Sequence, residues 1–307
     1  MPDIRTVASG LLFPEGPVAE ADGSVLVVEI QRETVSRVRP DGTVEVVATL
    51  GGGPNGLAVG PDGALYVCNN GGFLFHIDGG YNRMRRGVHP HYTGGRIERL
   101  DLATGEVRTL YDRCGENRLC GPNDIVFDRS GGFYFTDYGK HRERDRDYGG
   151  LYYARADGSQ IVEVAYPMEM PNGVGLSPDD STVYVAETDT GRLWAFDLEA
   201  PGRPRRHPFP SPHGGRLVCG LPGYQRFDSM AVDAQGNISV ATLITGCITV
   251  ISPDGTVLRQ VMLPDPVATN ICFGGPDLMT AYITLSGTGR LVAMDWPEPG
   301  LRLAYSR

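Results

Sequence analysis

Short apolar runs alternate with polar turns along the whole chain, and six of these runs are preceded by a short polar step. Each step is followed by an apolar stretch, usually a tight turn rich in Pro, Asp and Gly, and then a second strand-like stretch. Runs of this length between turn residues are typical of β-strands that reverse direction at each turn. The six steps lie at residues 14–17, 54–56, 122–124, 171–173, 227–229 and 269–270.

This self-similarity predicts a repeat fold in which each repeat is one supersecondary unit. If each repeat is one antiparallel blade, six repeats predict an all-β chain folded as a six-bladed β-propeller. We expect a single domain over residues 1–307. Residues 4–8 are predicted to add a strand to the last blade, which closes the ring and removes a free sheet edge.

The strands within the blades can be predicted from the same pattern. We expect residues 24–28 to be an inner strand of blade one and residues 132–137 an inner strand of blade three. Blade four is predicted to run from Asn172 to about Pro210.

Blade two contains an insertion, because the step from Asn55 to Asn123 is much longer than the one from Glu15 to Asn55. The surplus lies at about residues 69–95 and mixes aromatic, basic and imidazole side chains. Long loops in compact folds tend to be functional, so we predict a lid or wall over the channel mouth. The alternative is a surface excursion with its own packing. The predicted substrate contacts here are His76, His89 and His91.

Each step carries a side-chain oxygen at the same repeat position. In a propeller this position points into one central channel in every blade, so these side chains are predicted to form a ring. A lone Pro-Asn-Gly step is also a common turn, but carboxylates crowded at a channel end repel each other unless a cation lies between them. The ring consists of Glu15, Asn55, Asn123, Asn172, Asp228 and Asn270.

Four members of the ring are predicted to bind a metal ion: Glu15, Asn123, Asn172 and Asp228. All-oxygen ligands favour Ca²⁺, with Mn²⁺, Mg²⁺ and Zn²⁺ as alternatives. We therefore predict one divalent ion in the central channel.

Alternative roles are open to each of the remaining polar residues of the steps. Asn55 and Asn270 either position the ligands or contact substrate, and Ser229 offers a hydroxyl to substrate, to the ion or to its own turn. Asp228 and Asn123 are the predicted catalytic residues. Asp228 is the expected base, because an amide cannot accept a proton at neutral pH, and Asp124 is the alternative base.

Composition and charge exclude some classes of binding partner. The net charge of −9 and the absence of a basic stripe argue against nucleic acid. No apolar run of membrane-spanning length and no signal peptide are apparent, so we expect a soluble, cytoplasmic protein.

The six cysteines are expected to be reduced and mostly buried, and most histidines to be solvated. The charged segment 140–147 is predicted to be a solvated loop, with a rim of the substrate mouth as its functional interpretation.

Several motifs together resemble those of a known family: residues 13–17, 121–128, 132–137, 171–177 and 228–233. The chain resembles the senescence marker protein (regucalcin) and gluconolactonase family over essentially its whole length, and is more distantly similar to paraoxonases and diisopropylfluorophosphatase. The resemblance implies a six-bladed propeller with one catalytic divalent ion, held by the residues matching Glu15, Asn172 and Asp228, with Asn123 contacting the ion or the substrate.

This sequence differs at three positions from the proteins that it resembles, and each difference affects these expectations. Bacterial drug-responsive lactonases share the residue matching Ser229 but carry Asp where this chain has Asn123. Sugar lactonases of the regucalcin type have an Arg at the place of Gly121, so a gluconolactone-like substrate is in doubt. Paraoxonases hold a second calcium with an acidic residue at the place of Gly16, so we expect a single ion here.

The resemblance implies hydrolysis of lactones, and in some members cleavage of organophosphates. We therefore predict a metal-dependent lactonase or related carboxylic ester hydrolase acting on a small-molecule lactone or ester, with the ion polarising the carbonyl while a carboxylate assists the attack of water. The alternatives are a calcium- or ligand-binding propeller without hydrolysis, and a propeller with a non-hydrolytic biosynthetic reaction, as in strictosidine synthase. The sequence makes no prediction of oligomeric state.

Overall fold

The computed structural model describes residues 3–306, and over this range every regular element is a β-strand. No helix in this part of the chain is long and apolar enough to cross a membrane. Strands β1 to β13 are Arg5–Ser9, Pro14–Ala19, Val25–Glu29, Thr34–Val38, Val44–Thr49, Pro54–Val59, Leu65–Asn69, Leu74–Asp78, Tyr81–Arg85, Arg96–Leu100, Val107–Tyr111, Arg113–Cys114 and Asn117–Arg118. Strands β14 to β29 are Pro122–Phe127, Gly132–Asp137, Gly149–Arg155, Ile161–Met168, Pro171–Leu176, Thr182–Glu187, Arg192–Ala200, Arg203–Pro204, Arg216–Gly220, Arg226–Val232, Ile238–Leu243, Cys247–Ile251, Val257–Met262, Ala268–Gly274, Thr280–Leu285 and Arg290–Asp295.

Six antiparallel sheets form the six blades of a β-propeller, as the repeat predicts. Blade one is β2 to β5, blade two is β6, β7, β10 and β11, and blade three is β14 to β17. Blade four is β18, β19, β20 and β22 with the short β21, and blade five is β23 to β26. Blade six is β27, β28, β29 and β1, and β1 pairs with β29 from Arg5 opposite Ala293. The predicted closure by the N-terminal strand is therefore confirmed.

The innermost strands are those that begin with the polar steps. β2, β6, β14, β18, β23 and β27 pack against one another around the axis. The expectation that residues 24–28 and 132–137 form inner strands is wrong. Residues 25–28 belong to β3 and residues 132–137 to β15, which are the second strands of their blades, counted outward from the axis. Proline is tolerated as the first residue of a strand. Pro14 and Pro122 therefore begin strands, so the polar steps belong to the inner strands that they were predicted to precede.

Blade four extends beyond its predicted end. β22 pairs with β20 from Trp194 opposite Leu217, so the blade does not end near Pro210. A connection rich in Pro, Gly and basic residues precedes β22 and hides it in the sequence pattern.

The burial of cysteine and histidine side chains also differs from expectation. All six cysteines are free, as predicted, but only Cys68 and Cys247 are buried and the other four are half-buried. His213 is buried rather than solvated, because its ring packs 4.5 Å from Trp194. Burial lowers the pKa of His213 to about 4.

The core lies between neighbouring blades. Leu26 and Val28 of blade one pack with Leu57, Val59 and Leu65 of blade two in one of six such clusters. Full burial of a Leu or Val side chain stabilises a fold by about 1.5–3 kcal/mol. These interblade contacts hold the six inner strands at fixed positions around the tunnel.

The inner strands of all blades begin at the same end of the tunnel, which we call the mouth. There the connection after a second strand donates to the connection before the first strand of the same blade: Asn70 N donates to Gly53 O over 2.8 Å, and Tyr138 N to Gly121 O over 2.9 Å. At the opposite end, the C-terminal segment crosses the axis, where Leu301 N donates to Val232 O over 3.0 Å. A largely apolar cavity of about 140 Å³ lies between the ring positions and this segment.

The insertion of blade two connects β7 to β10 on the mouth side. Its hairpin, β8 and β9, reaches both neighbouring and distant blades. Asn82 N donates to Gly287 O of blade six over 2.8 Å, and Gly87 N donates to His141 O of blade three over 3.0 Å. The insertion therefore spans part of the mouth-side surface.

Candidate metal centre and active site

All six predicted ring residues occupy the second or third position of an inner strand and are buried. The exposed fraction of each lies between 3 and 7%. They are Glu15, Asn55, Asn123, Asn172, Asp228 and Asn270.

Glycines after the ring residues allow the inner strands to approach closely. Gly16 has a φ of 51°, and a Cβ there would lie 2.4 Å from Asn55 O. A Cβ at Gly56 would lie 2.4 Å from Asn123 O, which no side chain tolerates. The sequence uses glycine here because the backbones of successive blades nearly touch around the tunnel.

Glu15 is held by two donors. Its Oε2 accepts hydrogen bonds from Gly16 N at 3.0 Å and from Asn270 Nδ2 at 2.8 Å. Asn270 Oδ1 in turn accepts from Ile271 N at 2.8 Å, so both ends of this amide are used. These contacts make Asn270 a positioning group for Glu15.

Asn172 is fixed by two hydroxyl groups. Ser229 Oγ donates to Asn172 Oδ1 over 3.2 Å, and Asn172 Nδ2 donates to Thr188 Oγ1 over 3.2 Å. Asn172 also hydrogen-bonds the carboxylate of Asp228 and thereby stabilises its charged form. Ser229 is thus placed beside the predicted ligands, and Thr188 is a supporting residue that the sequence analysis missed.

Asn123 supplies the most informative atom of the ring. Its Oδ1 is buried and has no hydrogen-bond partner among residues 3–306. A buried acceptor without a partner costs about 1–3 kcal/mol. A cation next to this oxygen would remove that cost, so the donor set fits a bound metal ion.

Three carboxylates crowd the same part of the tunnel. Burial raises the pKa of Glu15 to about 7, and burial together with the charge of Glu15 raises the pKa of Asp124 to about 7. Burial and the same neighbours raise the pKa of Asp228 well above its ordinary value. A divalent cation would favour the charged form of each group.

The ring offers amide as well as carboxylate oxygens. Residues 3–306 contain no group of three or more His, Cys, Asp or Glu side chains arranged to hold a metal. A metal in this ring would therefore need Asn123 and Asn172 in addition to Glu15 and Asp228.

Asp124 lies next to the ring but is an anchor of the backbone. Its Oδ1 accepts from Ile125 N at 3.0 Å and its Oδ2 from Val174 N at 3.3 Å. These bonds tie blade three to blade four beneath the ring. With both oxygens engaged, Asp124 is less suited than Asp228 to take a proton.

The predicted substrate contacts of the insertion lie away from the ring. His76 is exposed on β8 opposite Arg83, and His91 is exposed. His89 is half-buried, and its Nδ1 accepts from His91 N at 3.3 Å. In the described part of the chain, none of these histidines hydrogen-bonds a ring residue, and Asn55 lies within the ring itself.

Lys140 departs from the predicted solvated loop, because it is almost completely buried. Its Nζ donates to Gly72 O over 2.8 Å and lies 4.1 Å from the centre of the Phe73 ring and 4.9 Å from that of Tyr92. Burial lowers the pKa of Lys140 to about 7. All three partners belong to the insertion, so Lys140 fastens the insertion to blade three. Residues 143–145 of the same segment are exposed, as predicted.

Comparison with known proteins places the fold and the ring in a family. The model of the SMP-30/Gluconolactonase/LRE-like region matches residues 13–287 of this chain. The chain belongs to this family. The match contains all six ring residues, from Glu15 to Asn270.

Members of the family with a curated name include two similar enzymes. A gluconolactonase of Zymomonas mobilis is 27% identical over 300 residues, covering 88% of this chain and 76% of the relative. Lactonase drp35 of Staphylococcus saprophyticus is 29% identical over 252 residues, covering 81% of this chain and 69% of the relative.

Solved structures of similar proteins share the propeller fold. A gluconolactonase from Xanthomonas campestris has a TM-score of 0.74 at 24% identity, over 96% of this chain and 89% of that one. Regucalcin from Agrobacterium tumefaciens, described as a calcium-binding protein, has a TM-score of 0.75 at 20% identity, over 98% of both chains. At these identities the likeness concerns the fold alone.

Proposed function

We propose that this protein is a hydrolase that opens lactone rings at a single divalent metal ion in the central tunnel. The ion is held by Glu15, Asn123, Asn172 and Asp228. The observation that carries the proposal is the unpartnered, buried Asn123 Oδ1, which lies in a ring with buried carboxylates whose pKa values are raised. The names of the curated relatives, gluconolactonase and lactonase, support the reaction class.

Calcium is the ion that this donor set favours. The donors are two carboxylates and two amide oxygens, and the ring contains neither His nor Cys. Because Ca²⁺ takes about 6–8 oxygen ligands, four side chains leave about two to four positions for water and substrate. A bound ion supplies Lewis acidity that polarises the lactone carbonyl.

The protein residues handle the proton and orient the reacting groups. In lactone hydrolysis, the water oxygen bonds to the carbonyl carbon, the ring C–O bond breaks, and a carboxylate and a hydroxyl group are formed. Asp228 accepts the proton of the attacking water, because Asn123 cannot accept a proton and Asp124 is engaged by Ile125 and Val174.

The proposed substrate is bound without the side chain that binds the polyol in sugar lactonases. Gly121 stands where sugar lactonases of the regucalcin type carry an Arg, and a Cβ at this position would lie 2.5 Å from Gly139 O. No side chain at residue 121 can therefore grip a polyol. The insertion, fastened by Lys140, forms the remaining wall of the mouth.

The place of action that fits these properties is the cytoplasm. All six cysteines are free thiols, and disulfides are rare in reducing compartments.

A panel of aliphatic, aromatic and sugar lactones tests the proposal. Ring opening is followed by proton release, with the protein as purified, with chelator, and after return of Ca²⁺, Mn²⁺ or Zn²⁺. We expect turnover that chelator removes and Ca²⁺ restores, and no turnover by the matched Asp228→Asn variant. Turnover that survives complete metal removal, or the absence of turnover on every lactone, would contradict the proposal.

A further inference from the structure

Arg226 and Tyr138 lie beside the ring on the mouth side. Arg226 is the first residue of β23, two positions before Asp228, and Tyr138 directly follows β15. The hydroxyl of Tyr138 is buried next to Thr188 and feels the charges of Asp189, Asp228 and Arg226. Tyr138 therefore lies near both Asp228 and Arg226.

Further basic side chains surround Arg226. Asp189 pairs with both Arg226 and Arg146, and its Oδ2 is 2.6 Å from Arg146 Nη1. His141 Nε2 lies 3.9 Å from the same Oδ2. The charges of Arg86, Arg146 and Arg226 all act on His141, which places the four side chains together. We call Arg86, His141, Arg146 and Arg226 the mouth cation cluster.

The cluster is not fully neutralised. Arg146 also pairs with Glu169, so among residues 3–306 the three guanidinium groups form ion pairs with only two carboxylates, Asp189 and Glu169. The carboxylate of Asp228 feels the charge of Arg226 but forms no ion pair with it. Arg86 has no hydrogen-bond or ion-pair partner anywhere in residues 3–306. The cluster therefore retains a positive charge in a protein whose net charge is −9.

The cluster is partly desolvated but within reach of a ligand. The side chains of Arg226, Arg146 and Asp189 are 27, 33 and 22% exposed. Guanidinium groups in such surroundings bind carboxylates through charge-assisted hydrogen bonds that are about twice as strong as neutral ones. A substrate with a neutral remote end would gain nothing from this arrangement.

We propose that the mouth cation cluster binds a carboxylate on the substrate, so that the preferred substrate is a lactone bearing a carboxylate group. This inference rests on the proposed function. The lactone carbonyl lies at the ring, the ring-remote carboxylate lies at Arg226 and Arg86, and the Tyr138 hydroxyl lies between them. The substrate thereby spans from Asp228 to the outer edge of the mouth.

The test compares two lactones that differ in a single group. A γ-lactone with a carboxylate substituent and the same γ-lactone with a carboxamide are hydrolysed under identical conditions. We expect kcat/KM to be roughly 10- to 100-fold higher for the carboxylate, mainly through KM, since a hydrogen bond to a charged group contributes this much. High salt should reduce the preference.

Two variants and one control assign the preference to the cluster. Arg226→Met and Arg86→Met should each reduce the carboxylate-to-carboxamide ratio by roughly tenfold. Arg86 is exposed, so its variant is expected to fold even if loss of Arg226 disturbs Asp189. The matched control Arg85→Met removes an exposed neighbour of equal charge on β9 and should leave the ratio unchanged. A ratio near one in the unaltered protein, or a ratio insensitive to both variants, overturns the inference.

Binding separates this inference from the proposed function. Calorimetric titration of the two lactones into Asp228→Asn measures binding when turnover is removed. If neither lactone is hydrolysed by the unaltered protein but the carboxylate binds more tightly in a way that Arg86→Met abolishes, lactone hydrolysis is wrong and the anion subsite stands. Equal binding of the two lactones overturns the subsite.

Discussion

Asn270 Nδ2 donates a hydrogen bond of 2.8 Å to Glu15 Oε2, which joins the last blade to the first inside the tunnel. The other end of the Asn270 amide accepts from Ile271 N. Of the two roles considered for Asn270, this geometry favours positioning of Glu15 over contact with substrate. The site and the closure of the propeller thus share one interaction.

Replacement of Asn270 by Ala should weaken ion binding without changing the chemistry. Removing a group that orients a metal ligand typically costs about 10- to 100-fold in affinity. Calorimetric titration of Asn270→Ala with Ca²⁺ measures this loss, and KM at saturating Ca²⁺ should stay near that of the unaltered protein. Asn117→Ala, which removes an exposed amide on β13 outside the ring, is the matched control and should leave the Ca²⁺ affinity unchanged. Unchanged Ca²⁺ affinity in Asn270→Ala would refute the positioning role.

Replacement of Asn123 by Asp tests the unpartnered oxygen directly. If Asn123 Oδ1 faces the ion, a carboxylate there adds a charged ligand and should raise Ca²⁺ affinity by roughly tenfold, since ligand charge tunes such sites. Asn123→Leu, of similar size, should lower the affinity. Titration of both variants with Ca²⁺ measures these changes. If both variants bind Ca²⁺ with the affinity of the unaltered protein, residue 123 does not contact the ion.

Asp228→Asn and Glu15→Gln should fail in different ways. Asp228→Asn removes a ligand charge and the base together, so its turnover should be nearly abolished even at saturating Ca²⁺. Glu15→Gln removes only a ligand charge, so excess Ca²⁺ should restore part of its activity. Steady-state rates over a Ca²⁺ series separate the two outcomes. Near-normal turnover by Asp228→Asn at saturating ion would disprove the assignment of the base.

The buried carboxylates predict an unusual pH dependence of the metal-free protein. Because the pKa values of Glu15 and Asp124 are raised to about 7, the native state keeps protons between about pH 4 and 7 that the unfolded chain releases. The free energy of unfolding contributed by these groups therefore falls as the pH rises through this window.

Melting temperatures at pH 5 and pH 7, with chelator and with Ca²⁺, measure this effect. The chelated protein should melt at a lower temperature at pH 7, and the gain from Ca²⁺ should be larger there, because the ion binds the charged carboxylates. Glu15→Gln should flatten the dependence. A chelated protein that is more stable at pH 7 than at pH 5, with or without this substitution, would contradict the raised pKa values.

Local patterns predicted the fold because each blade repeats the same local chemistry. β15 (Gly132–Asp137) has the bounds that the sequence pattern predicts, since its run of aromatic residues lies between turn residues. β22 escaped prediction because its half-exposed residues follow a long connection without a regular pattern. The ring was predictable for the same reason as the blades, since it occupies one position of the repeat.

Contacts between segments that are distant in the chain could not be predicted from the sequence pattern. Lys140 lies in a charged run that favours solvation, and its partners Gly72, Phe73 and Tyr92 are far away in the chain. The same holds for His213 against Trp194. The mouth cation cluster likewise draws its members from the insertion and from blades three and five, so no single segment reveals it.

The number and position of bound ions test the central claim most directly. Gly16 cannot carry the acidic side chain of a second site, because a Cβ there would lie 2.4 Å from Asn55 O. Anomalous scattering from crystals grown with Ca²⁺ or Mn²⁺ locates every ion. We predict one peak in the tunnel, at about 2.0–2.6 Å from oxygens of Glu15, Asn123, Asn172 and Asp228. Two fully occupied peaks held by the protein, or a single peak away from these four residues, would contradict the account.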